Sequence, residues 1–322
     1  MIQVTDPLAG LDEVGWDSLY HAYGPAVDVP DQLRGLRSAE SAVRHAALSE
    51  LYGNVYHQGT RWGASRYVVP FLVALVDDPA TPDRAAVVGL LRAVVLGDQR
   101  DDALPFEARR VFAAAEGITD EQTALVDRHL QAEDLFDHEE VAELADGVAV
   151  RWAADAYAAG ARHLDRYVVW LTDPDDLVAA LAAELVAWFP PTGPGLAALL
   201  AVPGTRRDVR ASANLTLARW PAGSIPAGRP PAGSTPDTRP DGSPRVDSVL
   251  EELLTATEPV VRVTAAVALA LRLARRDTDR LPDLALDALT GAHVDDYDAD
   301  VPGWDRPVRG FVAIALHTLG LN

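Results

Sequence analysis

The sequence predicts an all-α repeat protein, an α-solenoid built from stacked helix pairs. Apolar residues recur every three to four positions along most of the chain, whereas the alternation typical of β-strands is rare. A short motif around a Val-Arg pair also recurs along the chain, and self-similarity of this kind is typical of repeat architectures. If residues 259–273 form a helix, apolar side chains cover almost its whole circumference, which predicts a buried helix.

Each copy of the repeated motif consists of an acidic residue, a Val-Arg pair and then small residues. Three copies begin at Glu40, Glu258 and Asp305, and a looser copy begins at Asp208. An acid at a helix start favours the positive end of the helix dipole, and it can reach an arginine one turn later. The motif therefore predicts a helix at each of the four positions.

A second repeated sequence occurs at residues 66–69 and 166–169. Both segments have the sequence Arg-Tyr-Val-Val, and both are soon followed by Asp-Pro. Because proline disfavours helix in the residue before it but suits the first turn of a new helix, Asp-Pro is expected to end one helix and open the next.

A helix, an Asp-Pro turn and a helix beginning Val-Arg with alanines together resemble the HEAT repeat, in the form similar to phycobilin-lyase HEAT-like repeats. The resemblance covers residues 35–80, 160–220 and 245–320, and residues 52–70 resemble HEAT-repeat proteins common in actinobacteria. It implies a HEAT-like α-solenoid of about five to six helix pairs. It implies little about function, because such repeats occur in scaffolds, lyases and DNA-repair glycosylases alike.

On this basis residues 1–322 are expected to form one solenoid domain with two interruptions. Residues 221–244 contain 7 Pro and 4 Gly among 24 residues, a composition that predicts a disordered, flexible loop. Residues 98–146 carry 15 acidic residues and 4 arginines, which predicts an irregular acidic segment with helices near 105–116, 120–132 and 138–158. The segments in order are N-terminal repeats 12–97, the acidic segment 98–146, central repeats 147–220, the flexible loop 221–244 and C-terminal repeats 245–322.

The composition excludes several kinds of chemistry. The chain has no cysteine and no lysine, so thiolate nucleophiles, Cys-ligated metals and lysine Schiff bases are absent. A formal net charge of −20 disfavours nucleic acid as a partner and favours a cationic peptide, a basic protein or a metal, with solubility alone as the alternative. No apolar run approaches the roughly 18 residues of a membrane helix, and no secretory signal with a charged start is visible. A cytoplasmic protein without a membrane partner is expected.

The densest polar and aromatic stretch, residues 51–62, is the predicted binding loop. A plain helix connection needs only a few residues and would not require so many aromatic rings, amides and hydroxyl groups. Such a mixture suits a peptide or a small polar ligand, and the alternative is a self-satisfied loop whose amides cap helix ends. The candidate partner-binding residues are Tyr52, Asn54, Tyr56, His57, Gln58, Thr60, Arg61 and Trp62.

The segment that begins at His138 resembles part of a metal-binding motif. His138-Glu139-Glu140 begins like the helix of a zinc protease, but Ala142 stands where that motif requires its second histidine. The acids around it are expected to form a solvated helix face, with a divalent cation or a basic partner as the alternative. We therefore assign no metal, no cofactor and no catalytic residue from the sequence.

The resulting functional hypothesis is a non-enzymatic scaffold that binds a protein or peptide on the concave face of a HEAT-like solenoid. The alternative is a HEAT-like enzyme of the lyase or glycosylase type, which would act on a small molecule or modified substrate near residues 52–62. In that case His57 or a nearby carboxylate would move a proton. A purely structural scaffold is the third hypothesis.

Overall fold

A computed structural model describes residues 6–220, 246–273 and 281–321. Of the residues described, 66% are helical, far above the usual third, which confirms the all-α class. No helix among the residues described is both long and apolar enough to cross a membrane. The predicted flexible loop 221–244 lies outside the described residues.

The described residues contain fifteen α-helices and two short hairpins. The helices are α1 Val29–Gly35, α2 Ser41–Asn54, α3 Ser65–Asp77, α4 Arg84–Leu96, α5 Ala108–Val111, α6 Asp120–Gln131, α7 Glu139–Ala161, α8 Leu164–Trp170, α9 Asp176–Val186, α10 Gly193–Ala201, α11 Arg207–Arg219, α12 Val246–Leu253, α13 Pro259–Leu273, α14 Asp283–Val294 and α15 Val308–Thr318. Strand β1 (Tyr20–His21) pairs antiparallel with β2 (Gly24–Pro25), and β3 (Tyr56–His57) pairs antiparallel with β4 (Thr60–Arg61).

The chain divides into two compact units. Unit 1 comprises Met1–Gln99 and Glu107–Arg166, and unit 2 comprises Arg100–Phe106 and Tyr167–Asn322. In unit 1, α3 packs against α4 and α7, α1 packs against α2, and α6 packs against α7. Buried valine and leucine side chains of α3 and α4 form much of the core of unit 1.

Unit 2 is built around two fully packed helices. Helix α11 packs against α9 and α13, and α13 also contacts α12, α14 and α15. Nearly every side chain of α13 is buried, as its apolar sequence predicts. Helix α11 is buried almost as completely although its sequence is far more polar, so its arginines and hydroxyl groups must find partners inside the unit.

The repeated motif forms a helix at each predicted position, and its arginine makes a recurring contact. Arg44 Nη1 donates to the carbonyl oxygens of the residues six and five positions earlier, at 2.9 and 3.0 Å. Arg262 Nη1 donates to the carbonyls at the same two offsets, at 2.7 and 2.8 Å. The arginine thus ties the start of its helix to the turn that precedes it.

The predicted pairing of the motif's acid with its arginine is replaced by other ion pairs. Arg44 Nε lies 2.7 Å from Asp83 Oδ2 rather than pairing with the acid one turn earlier. Asp305, the acid of the last copy, accepts a hydrogen bond from Arg100 Nε at 2.7 Å. Arg44 and Arg262 thus use turn carbonyls as acceptors, and the acid of the last copy pairs with an arginine outside its own motif.

The acidic segment is more irregular at its beginning than at its end. The helix expected near 105–116 is reduced to α5 and neighbouring 3₁₀ turns, whereas α6 and α7 match the helices expected near 120–132 and 138–158. Thr119 and Gln122 form a capping box at the start of α6, which satisfies two backbone donors and fixes that boundary.

Candidate functional site

The carboxylate of Asp28 lies at the centre of a polar cluster in unit 1. Asp28 is the residue before α1, and its Oδ1 lies 2.9 Å from His21 Nε2 in β1. Its Oδ2 accepts hydrogen bonds from Gln32 Nε2 at 2.8 Å and from Asn54 Nδ2 at 3.0 Å. His21, Gln32 and Asn54 are all buried, so β1, α1 and the last residue of α2 are joined through one carboxylate.

The pattern of donors fixes the orientation of the buried groups. The backbone N–H of Tyr23 donates to His21 Nδ1 at 3.0 Å, so the ring proton sits on Nε2 and faces Asp28. An ionised carboxylate only accepts, so the amide of Gln32 must turn its nitrogen toward Asp28. Its Oε1 then points elsewhere, and this oxygen is buried with no hydrogen-bond partner on a side chain that is 6% exposed.

The Gln32 side chain lines a groove of about 800 Å³ between α1 and α2. Every charged residue of the groove is an acid, namely Asp28, Asp31 and Glu50. The remaining lining residues are small or uncharged: Gly35, Ala42, Val43, Ala46, Ala47 and Asn54. The groove therefore combines negative charge with small, largely uncharged side chains.

Close packing of the two helices shapes one end of the groove. A Cβ placed on Gly35 would lie 2.7 Å from the Cβ of Ala47, closer than real carbon contacts permit. Glycine at position 35 therefore lets α1 approach α2 where a larger residue would separate them. Ala42 and Ala46 of α2 are exposed, and they leave open space along the same helix.

The structure separates the predicted loop residues into different environments. Asn54 belongs to the Asp28 cluster and lines the groove. Tyr52 is half-buried and stacks edge-on against Tyr56, whose hydroxyl bonds to Asp98. Burial and this hydrogen bond raise the pKa of Tyr56 to about 12. His57 is half-buried, and its Nδ1 lies 3.2 Å from the hydroxyl of Tyr23.

The remaining four candidates lie on or beside the second hairpin. Gln58 is exposed at its turn with φ of 48°, and Gly59 follows with φ of 84°, as a two-residue type I′ turn requires. Arg61 is buried, donates to the carbonyl of Gly59 at 2.6 Å and, with Thr60, lines a cavity of about 290 Å³. Trp62 packs against Trp152 with ring centroids 5.8 Å apart. These contacts favour the alternative in which most polar and aromatic groups of the loop bond to one another or to nearby helices.

Trp62 also belongs to a buried polar group around Asp127 of α6. The indole nitrogens of Trp62 and Trp152 and Oδ1 of Asp127 are buried without hydrogen-bond partners. A Cβ on Gly63 would lie 3.6 Å from both Asp127 Oδ1 and Trp152 Nε1, so these two groups lie close to Gly63. Burial raises the pKa of Asp127 from 3.8 to about 6, against an opposing effect of Arg66.

Asp127→Asn should therefore stabilise the protein at neutral pH but not in acid. The native state binds the Asp127 proton more tightly than the unfolded state, so native stability is lost as pH rises from about 4 to 6. A neutral amide avoids that loss, worth about 1–2 kcal/mol at pH 7 after allowance for partial solvent screening. Urea unfolding at pH 4.5 and pH 7 measures the difference.

Asp146→Asn is the matched control for that experiment, since it removes an exposed carboxylate from α7. It reports the general effect of one fewer negative charge at each pH. An Asp127→Asn effect that equals the control at both pH values would contradict a buried, proton-binding carboxyl group.

Sequence reasoning missed two sets of groups. Asp28 and Gln32 stand apart from the predicted loop in sequence, and only the folded chain brings them to Asn54. His129, Asp134 and His138 were not considered together, although their ligand atoms lie within 4.8 Å of one another. The spacing His-x₄-Asp-x₃-His was the available signal.

The groove, the Asp28 cluster and the second hairpin all belong to unit 1. In comparisons with known proteins, no family model, no curated protein and no solved structure matches this chain.

Proposed function

We propose that this chain is a non-enzymatic binding protein that holds a basic peptide in the groove between α1 and α2. The observation that carries the proposal is that every charged residue lining this groove is an acid, namely Asp28, Asp31 and Glu50. Hydrogen bonds between a cationic group and a carboxylate are stronger than those between neutral groups.

A basic side chain matches the chemistry of this groove. Guanidinium and ammonium groups offer several N–H donors and a positive charge, which suit the carboxylates of Asp28, Asp31 and Glu50. The small residues along α2 leave room for an extended backbone, and about 800 Å³ is within the range of pockets that bind ligands. The overall charge of −20 would also steer a cationic partner toward the protein.

We further propose that the helix pairs are HEAT-like repeats. The contact of Arg44 with the turn before its helix recurs at Arg262 with the same offsets, which supports a repeated unit. In this proposal Asn54 is the residue of the predicted loop that serves the groove, because it holds the carboxylate of Asp28 in place.

Binding of a dye-labelled hexapeptide with two arginines, followed by fluorescence anisotropy on the full chain, tests the proposed function. Asp31→Asn with Glu50→Gln should weaken binding about tenfold, since two solvent-facing pairs contribute roughly 0.5–1 kcal/mol each. Ala46→Leu should also weaken binding, because its larger side chain fills the groove from an exposed helix position that tolerates leucine.

Each variant has a matched control outside the groove. Asp287→Asn with Glu252→Gln makes the same change in net charge at two exposed positions of unit 2. Ala124→Leu makes the same change in size at an exposed position of α6. If the charge control weakens binding as much as the groove variant, general attraction to an acidic protein explains the result. If Ala46→Leu binds like the wild type, the peptide does not occupy the groove.

A further inference from the structure

Two histidines and an aspartate meet where α6 turns into α7 in unit 1. His129 lies in the last turn of α6, Asp134 follows in the connection, and His138 immediately precedes α7. His129 Nδ1 lies 2.8 Å from Asp134 Oδ1, and His138 Nε2 lies 3.5 Å from Asp134 Oδ2. The two imidazole rings are 4.5 Å apart between centroids, so both face the same carboxylate.

The backbone holds these residues together independently of their side chains. Glu133 adopts a φ of 57°, and the next N–H, that of Asp134, donates to the carbonyl of His129 at 3.1 Å. This closes the end of α6 in the manner of a Schellman cap and places Asp134 against the last turn. The Tyr20 hydroxyl donates to the carbonyl of Leu130 at 2.9 Å, which ties the same turn to β1.

A hydrophobic cluster packs against the connection between α6 and α7. Leu135, the residue after Asp134, is buried among Val126, Val141, Val148 and Trp152 of α6 and α7. A buried leucine between the two helices leaves little freedom to the adjoining backbone. The spacing between the histidines is therefore set by the packing of two helices rather than by a free loop.

The three side chains can bring their ligand atoms around one ion. One ring nitrogen of each histidine and one oxygen of Asp134 lie within 4.8 Å of one another. In a tetrahedral site with bonds of about 2.0–2.1 Å, ligand atoms lie roughly 3.3 Å apart. Small side-chain rotations would bring the three atoms to that spacing.

We propose that His129, Asp134 and His138 form a binding site for a divalent transition-metal ion of the zinc class. Two imidazole nitrogens and one carboxylate oxygen favour zinc and its neighbours over calcium or magnesium, which prefer oxygen ligands alone. The side chains are 21%, 36% and 50% exposed in that order, so water can reach the ion and complete its coordination. The acids of residues 133–143 add negative potential that attracts a dication.

Calorimetric titration of the full chain with ZnCl₂ tests the site. The wild type should bind one Zn²⁺ at this site, and His129→Ala, His138→Ala and Asp134→Asn should each weaken that binding at least tenfold, since even the loss of a supporting residue outside the ligand set costs about 10–100-fold. MgCl₂ should give no comparable heat. Bound Co²⁺ should show visible d–d absorption, and that absorption should disappear in the same three variants.

His293→Ala is the matched control, because His293 is an exposed histidine in the last turn of α14 with acids two and three positions after it. Its zinc binding should equal that of the wild type. Circular dichroism of each variant shows whether the helices remain, and Asp134→Asn preserves side-chain shape if the alanine variants unfold. The proposal is overturned if His293→Ala weakens binding as much as His129→Ala, or if Asp134→Asn and His138→Ala bind zinc like the wild type.

Discussion

Asp101→Ala should lower the free energy of unfolding of unit 2 by about 3–5 kcal/mol, the usual cost of removing one partner from a buried ion pair. The Asp101 side chain is 1% exposed and accepts hydrogen bonds of 2.6 Å from both Arg219 Nη2 and Arg306 Nε. Alanine would remove the carboxylate that accepts hydrogen bonds from both guanidinium groups. Urea unfolding followed by circular dichroism measures the loss, and hydrogen exchange in α11 should show it locally.

Asp102→Ala is the matched control for this experiment. Asp102 is the next residue and is exposed, so its replacement should change stability by less than about 0.5 kcal/mol. Equal effects of the two variants would contradict a central role for Asp101. Unchanged hydrogen exchange of the α11 amides in Asp101→Ala would contradict the assignment of that carboxylate to the core of unit 2.

Arg210→Ala should lower the free energy of unfolding by at least about 3 kcal/mol, because it creates a core cavity and leaves three buried acceptors without their donor. The Arg210 side chain is 0% exposed, and burial lowers the pKa of its guanidinium to about 10. Nη1 donates to the carbonyl oxygens of Leu199 and Val202 at 2.8 and 3.2 Å, and Nε donates to Asn214 Oδ1 at 2.9 Å. A cation at the carbonyl end of α10 also interacts favourably with the helix dipole.

Two further variants separate the cavity from the lost hydrogen bonds. Arg210→Met keeps much of the volume and removes the donors, so it should cost less than Arg210→Ala but still about 1–3 kcal/mol. Arg207→Ala removes an exposed arginine from the same helix and should change stability by less than about 0.5 kcal/mol. If Arg210→Met were as stable as the wild type, the carbonyls at the end of α10 would not depend on the arginine.

The helical class could be predicted because it depends on local spacing. Residues 259–273 are apolar nearly all round, and α13 is buried accordingly. The helices of the repeated motif begin where its acids and alanines place them. The two hairpins could not be predicted in the same way, because strands of two residues are too short to show an alternating pattern.

The candidate site was predictable only where its residues lie close together in sequence. The excess of polar and aromatic groups in residues 51–62 indicated a special segment, yet most of those groups contact one another or nearby helices. The groove depends on Gln32 and Asp28, which meet Asn54 through the packing of α1 on α2. The sequence could not predict that the motif arginines bond to backbone carbonyls. Every residue has a carbonyl oxygen, so no residue type indicates which one accepts the hydrogen bond.

The place of residues 100–106 in unit 2 determines how this protein can be divided. The chain enters unit 2 at Arg100, returns to unit 1 at Glu107 and enters unit 2 again at Tyr167. A fragment that starts at residue 167 would therefore contain Arg219 and Arg306 but lack the carboxylate that neutralises both. During synthesis, Asp101 leaves the ribosome some two hundred residues before Arg306. Expression of unit 2 alone thus requires residues 100–106 as a grafted or co-expressed segment.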